Sequence, residues 1–134
     1  MVEEIKVFTK KFIEWTKFKI RIHLSEKEIY FREGEIWWAS LGINIGHEQD
    51  GKNETFERPI LILRKFNQYI LWAIPLSSKL KDGPFYHSYR FYDTEFSACL
   101  SQLRLISSKR LLRRIAVFPK TDLLELKEKI KKLI

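Results

Sequence analysis

Two apolar runs, 59–66 (PILILRKF) and 69–76 (YILWAIPL), separated only by Asn67-Gln68, constrain this chain more than any other feature. Each has strand length and is rich in Ile, Leu and aromatic residues. The pair predicts an antiparallel β-hairpin, although Gln is a poor second residue for a two-residue turn. With that turn Phe66 pairs with Tyr69, and paired positions sum to one number throughout, so Arg58 falls opposite Ser77. Directly opposed residues hold their Cβ atoms roughly 4.5–5.5 Å apart. A guanidinium and a hydroxyl would then share the open end of the hairpin, unless a bulge shifts the register. One face, with Leu61, Leu63, Ile70, Trp72, Ile74 and Leu76, reads as core. The other, with Arg58, Ile60, Ile62, Arg64, Tyr69 and Ala73, is mixed enough to be partly open or to meet a partner subunit.

The flanking segments fit a mainly β domain. Residues 3–22 predict an amphipathic helix whose stripe of Ile5, Phe8, Phe12 and Trp15 docks on the main domain. Residues 29–41 predict a strand with a bend at Gly34, and 42–57 a long polar loop of the sort that carries function in small domains. A turn at 81–84 separates the hairpin from an exposed strand over 85–92 and another strand over 97–106. Ser107 or Ser108 caps a short helix over 109–113, and 115–118 is a last short strand. A C-terminal helix follows, with Asp122 as N-cap and Glu125 completing a capping box. Its buried stripe is Leu123, Leu126, Ile130 and Leu133, and Glu125–Lys129 and Glu128–Lys132 are supporting pairs. The sum is a β-barrel plus helices, with residues 1–28 an N-terminal helical extension and 29–134 the barrel domain.

Charge narrows the partner. The 134 residues carry 25 Lys plus Arg against 17 Asp plus Glu, a net charge of +8, which makes a polyanion such as nucleic acid the first partner to consider. A basic group, Arg104, Lys109, Arg110, Arg113 and Arg114, has no acidic residue interspersed from Phe96 to Thr121. The single Cys99 lies in an apolar run and reads as a packing residue of a protein in a reducing compartment. The N-terminus lacks a signal-peptide pattern, and no run approaches the ~20 apolar residues of a membrane span, so a soluble cytoplasmic protein is expected. His23, His47 and His87 lie far apart with no ligand at metal-site spacing, so neither metal nor cofactor is expected. A phosphate-binding glycine loop and a G-x-S-x-G turn are both absent.

Arg58 with a hydroxyl suits a phosphodiester. In-line attack by a neighbouring ribose 2′-OH builds charge on the non-bridging oxygens, which a fixed arginine and a serine can stabilise without a metal. Arginine and serine at strand ends are also common structural residues, and spacing alone leaves both readings open.

At these residues the chain resembles the MazF/PemK toxin family of type II toxin–antitoxin systems, from about Phe31 to the C-terminus. The motifs are Gly34-Glu35-Ile36-Trp37-Trp38 with Leu41-Gly42, Gly46-His47-Glu48-Gln49, Arg58-Pro59 with Ile60-Leu61-Ile62-Leu63, Pro75-Leu76-Ser77-Ser78, and Leu100-Ser101-Gln102-Leu103-Arg104. The resemblance implies an SH3-like barrel of the MazF/CcdB type with a C-terminal helix, assembled as a homodimer. It also implies cofactor-free cleavage of single-stranded RNA, and inhibition by a cognate antitoxin with an acidic C-terminal tail. Arg58 falls on the catalytic arginine and Ser77 on the catalytic threonine, with Ser78 as a possible substitute. Glu48 falls on the loop glutamate, and His47, Gln49, Lys52, Ser78 and Lys79 would contact substrate. His47 stands where the family has a small residue; a surface or RNA-contacting role suits it better than that of acid or base. The loop before Arg58 is also longer than the family's, and the N-terminal helix lies outside the resemblance. The alternatives are a non-nuclease toxin of the gyrase-poison type, which shares the fold, and an inactive SH3-like nucleic-acid-binding module.

Overall fold

The computed structural model describes residues 1–91 and 93–134, without the side chain of Phe91; the last residue of the predicted 85–92 strand, Tyr92, lies outside the described residues. The chain forms α1 (Val2–Leu24), β1 (Glu35–Ser40), β2 (Glu57–Lys65), β3 (Ile70–Ser77), β4 (Tyr86–Phe91), β5 (Thr94–Cys99), β6 (Arg104–Ser107), β7 (Leu111–Val117) and α2 (Lys120–Lys131). The strands pair antiparallel in the order β4-β5-β3-β2-β1-β7, and β6 also pairs with β3. The mainly β class is as expected. The barrel is not sealed: among the described residues no ladder joins β7 to β4, and the sheet curls without closing.

β2 and β3 form the central hairpin, with two compensating departures from the expected register. The turn holds three residues, not two: the Phe66 amide donates to the Ile70 carbonyl, and Asn67 Oδ1 accepts from the Tyr69 and Ile70 amides. Side-chain acceptance of this kind is what makes Asn a turn residue without a following glycine. A bulge between Ile62 and Arg64 then absorbs the extra residue, so Ile60 pairs with Pro75 and Ile62 with Ala73. Beyond the bulge the pairs follow the expected register as far as Ile60 and Pro75, two residues from Arg58 and Ser77.

Both hairpin faces are core, which corrects the expectation of one open face. Ile60, Ile62, Leu71 and Ala73 pack with Phe31, Trp37, Ala39, Leu41, Ile106 and Leu111 inside the curl. Leu61, Leu63, Ile74 and Leu76 pack with Ile36, Leu100, Phe118 and Leu126 under α2. Each fully buried Leu or Ile contributes about 1.5–3 kcal/mol, so leaving either face open would be strongly destabilising. Trp72 and Ile70, expected in the core, are instead exposed at the turn end of β3, where the bulge has shifted the register.

Other differences have local causes. β1 starts only at Glu35, after a turn in which Gly34 takes φ +85°. The predicted 97–106 strand is two strands, β5 and β6, separated by a 3-10 turn at Leu100–Gln102. They pair with opposite ends of β3, so the chain must bend between them. The predicted helix over 109–113 is only a 3-10 turn, Ser108–Arg110, in which Ser107 Oγ accepts from the Lys109 amide; Leu111 onward pairs with β1 as β7. α2 begins at Lys120 after Pro119, so Asp122 lies inside the first turn and makes no cap. Along its stripe Leu126 is buried, while Leu123 and Ile130 are partly buried. Glu128 pairs with Lys131, not with Lys132.

The expected docking of α1 holds for one turn only. Trp15 is 6% exposed, but Ile5 and Phe12 are 59% and 39% exposed. Trp15 stacks near Phe18 and Phe56 and over Gly42, whose added Cβ would lie 2.1 Å from the indole. Gly42 also takes φ +82°, so it satisfies two demands at once: a left-handed backbone and a flat seat for the ring. α1 thus rests through Trp15 on both ends of the 42–57 loop, and its C-terminal end is held by the Lys109 bond to the His23 carbonyl.

Candidate active site

Arg58, near the start of β2, is partly buried and held by main-chain oxygens. Its Nε donates to the Asp50 carbonyl at 2.5 Å and its Nη1 to the Leu76 carbonyl at 3.1 Å. Burial lowers the guanidinium pKa, opposed by neighbouring Cys99 and the Asp50 carboxylate, yet arginine stays cationic at any physiological pH. Among the described residues two of the five N–H groups are occupied, and three remain for an anion.

Ser77, which follows the Leu76 that accepts from Arg58, is 8% exposed. Its Oγ accepts from the Lys79 amide at 3.2 Å, which orients the hydroxyl without using its proton. Ser77 pairs with Ser97 of β5, whose Oγ accepts from the Lys81 amide. Ser78 is exposed and shares a cleft with Arg58.

That cleft, of ≈ 290 Å³, is lined by Trp38, Lys52, Arg58, Leu76, Ser78 and Phe96, among others. A second cavity, of ≈ 700 Å³, is lined by His47, Glu48, Gln49, Pro75, Gln102 and Arg104, among others. The predicted site residues therefore divide: Lys52, Arg58 and Ser78 face one space, and His47, Glu48 and Gln49 the other. Ser77 and Lys79 line neither. Asp50 belongs to the loop and Leu76 to β3, and Arg58 bonds to both.

The loop is tied down by residues that spacing alone does not single out. The Gln49 amide donates to Gln102 Oε1 at 2.9 Å, and Gln102 Nε2 donates to the His47 carbonyl at 2.9 Å. Glu48 Oε1 accepts from the Ile45 amide, and Asn44 is bound to Asp50, Leu41 and Gln49. Glu48 therefore supports the loop and also faces Arg104, whose pKa burial lowers and Glu48 raises.

The basic group disperses. Arg113 pairs with Glu57 at 2.9 Å and Arg114 with Glu35 at 3.0 Å. Arg110 donates to the Ser40 carbonyl and lies over Trp15, and Lys109 donates to the His23 carbonyl. Only Arg104 of the five reaches the second cavity. Sequence reasoning overlooked Trp38 and Phe96 as cleft residues. The one signal, for Trp38 alone, was the alternation of Trp37 inward and Trp38 outward on β1.

The chain thus presents a curled antiparallel sheet with a partly buried arginine at one hairpin mouth, bonded to a long polar loop. The MazF of Deinococcus radiodurans in its form I crystal matches 78% of this chain and 97% of its own, at 22% identity and a TM-score of 0.61. An endoribonuclease solved with its cognate antitoxin from a mycobacterial species matches 77% and 93%, at 11% identity and a TM-score of 0.60. The MazE–MazF complex of Deinococcus radiodurans, form II, matches 78% and 96%, at 18% identity and a TM-score of 0.56. No curated protein matches significantly in sequence. A family model described as PemK-like, MazF-like toxin of type II toxin–antitoxin system matches residues 32–134, and the chain belongs to that family. The match begins after α1. Among the described residues no helix is long and apolar enough to cross a membrane.

Proposed function

We propose that this protein is the toxin of a toxin–antitoxin pair and a metal-independent endoribonuclease acting on single-stranded RNA in the cytoplasm. The observation that supports the reading most is Arg58: a permanent cation, fixed by two carbonyls, with unused donors at the edge of a cleft of phosphate-and-base size. In this mechanism the ribose 2′-oxygen attacks the adjacent phosphorus while the P–O5′ bond breaks. The 2′-OH proton is lost and the departing 5′-oxygen gains one, leaving a 2′,3′-cyclic phosphate and a 5′-OH. Arg58 stabilises the charge growing on the non-bridging oxygens, and the Ser77 hydroxyl adds a donor. Fixed positioning and charge stabilisation of this kind carry most of the catalysis in phosphoryl transfer, where there is little covalent work for the protein to do.

Trp38 and Phe96 offer ring faces for unstacked bases, and Lys52, Ser78 and Lys79 offer polar contacts along the backbone. On the other side of the Asp50–Arg58 contact, His47, Glu48, Gln49 and Arg104 would meet the continuing strand. The net charge of +8 suits the RNA and equally an antitoxin with an acidic tail, which would compete for the same residues. The same reading makes the working unit a homodimer, with residues 29–134 as the catalytic domain and 1–28 as an added helix.

The test is incubation of purified protein with single-stranded RNA in EDTA, beside Arg58→Ala. Cleavage in the chelator that is lost in the variant supports the reading. Cleavage that persists in Arg58→Ala, or trapping of gyrase without cleavage, overturns it.

A further inference from the structure

No metal-ligating residue stands near His87 along the chain, yet the fold supplies two. His87 lies on β4 and points under α2, where Asp122 and Glu125 sit one turn apart on the same helix face. One ring nitrogen of His87 and one carboxylate oxygen from each acid all lie within 4.8 Å of one another. The imidazole is 4% exposed, and its Nδ1 is buried with no hydrogen-bond partner among the described residues. A buried ring nitrogen left unsatisfied costs about 1–3 kcal/mol, so its retention beside two carboxylates needs a reason.

We propose that His87, Asp122 and Glu125 form a zinc-class metal site that clamps α2 onto the edge of the sheet. One nitrogen and two oxygens suit zinc, cobalt or nickel better than magnesium or calcium, which take more numerous all-oxygen shells. Zinc ligands at about 2.0–2.1 Å stand roughly 3.3 Å apart in a tetrahedron, so modest rotations of the two carboxylates close the set, and water takes the fourth position. Burial and Lys129 lower the His87 pKa while Glu125 and Asp122 raise it, and the net shift is downward. Lys129 also faces the ring and opposes a cation there, against the two carboxylates. The Tyr89 ring stacks on Phe118 at 4.3 Å, and His87 faces the same Phe118, so the site is walled by aromatic rings. The role is structural: α2 contributes Leu126 to the core, and the metal would fix the helix over it.

The experiment uses chelator-stripped full-length protein titrated with zinc chloride, followed by calorimetry and thermal melting, with cobalt absorption as a geometric probe. One equivalent is expected to bind, raise the melting temperature and give tetrahedral cobalt bands. Asp122→Asn, at a half-buried position, and Glu125→Gln, at an exposed one, should each weaken binding by about tenfold or more, as loss of even an outer partner does elsewhere. A double His23→Gln, His47→Gln variant should bind normally. Absence of binding, or binding unchanged in Glu125→Gln and Asp122→Asn, overturns the site. RNA cleavage in EDTA is a separate readout, so the two proposals stand or fall apart.

Discussion

Arg58 donates from Nη1 to the main-chain oxygen of Leu76 at 3.1 Å, across the hairpin and one residue before Ser77. With Nε on Asp50, this contact makes the guanidinium both a catalytic candidate and a bolt between loop and sheet. Lysine cannot serve both uses, because one ammonium lacks the planar fork. Arg58→Lys should therefore keep the fold but lose RNA cleavage by about 10²–10³-fold, the cost of removing a transition-state donor. Single-turnover rates measured beside a melting curve separate the two effects.

The two serines should behave differently. Ser77 is nearly buried with its Oγ oriented by the Lys79 amide, whereas Ser78 is exposed in the Arg58 cleft. Ser77→Ala should lower kcat by roughly 10²-fold with KM little changed, and Ser78→Ala should mainly raise KM. The opposite pattern would assign the reacting hydroxyl to Ser78.

Trp15 is the one buried residue of α1 and rests on Gly42. Trp15→Ala should cost about 3–5 kcal/mol, as for other buried aromatics, and release the helix. Gly42→Ala should release it as well, since the new methyl would fall 2.1 Å from the indole on a backbone with positive φ. Hydrogen exchange across Val2–Leu24 would record the loss, and unchanged protection in both variants would contradict this anchoring.

Glu35 carries a pH dependence. Burial pushes its carboxyl up, but hydrogen bonds from Arg114, the Arg32 amide and the Trp37 indole, together with the Arg114 charge, outweigh it and hold the pKa below the ordinary 4.5. A group depressed on folding adds stability that is fully present above its unfolded pKa and is lost as pH falls through its folded value. Stability should therefore drop on acidification below about 4.5, and Glu35→Gln should flatten that part of the profile. Urea midpoints from pH 3 to 7 would show it; a parallel profile in the variant would count against it.

Much of this was legible in the sequence because it depends on local pattern. The hairpin, the long loop, both main helices and the register of the hairpin next to Arg58 follow from apolar runs and polar gaps. The register at the site survived by compensation: Asn67 lengthens the turn by one residue, and the bulge near Leu63 removes one. What was not legible depends on contacts between distant segments. Pairing with opposite ends of β3 breaks 97–106 into two strands, and pairing with β1 turns 111–113 from helix to strand and joins them to the strand expected from 115. The apolar periodicity of α1 identified a stripe but not how little of it is covered. His87 met its acidic neighbours only through packing of α2 on the sheet, 35 or more positions along the chain.

The central claim is that the ribose attacks its own phosphate beside Arg58, and one substrate tests it most directly. An oligoribonucleotide cut at a mapped position is remade with a single 2′-deoxy residue there, and both are incubated with the protein in EDTA and analysed by mass spectrometry. The first should give a 2′,3′-cyclic phosphate product, and the second no cut at that position. Cleavage of the deoxy-substituted strand at the same bond would contradict the claim.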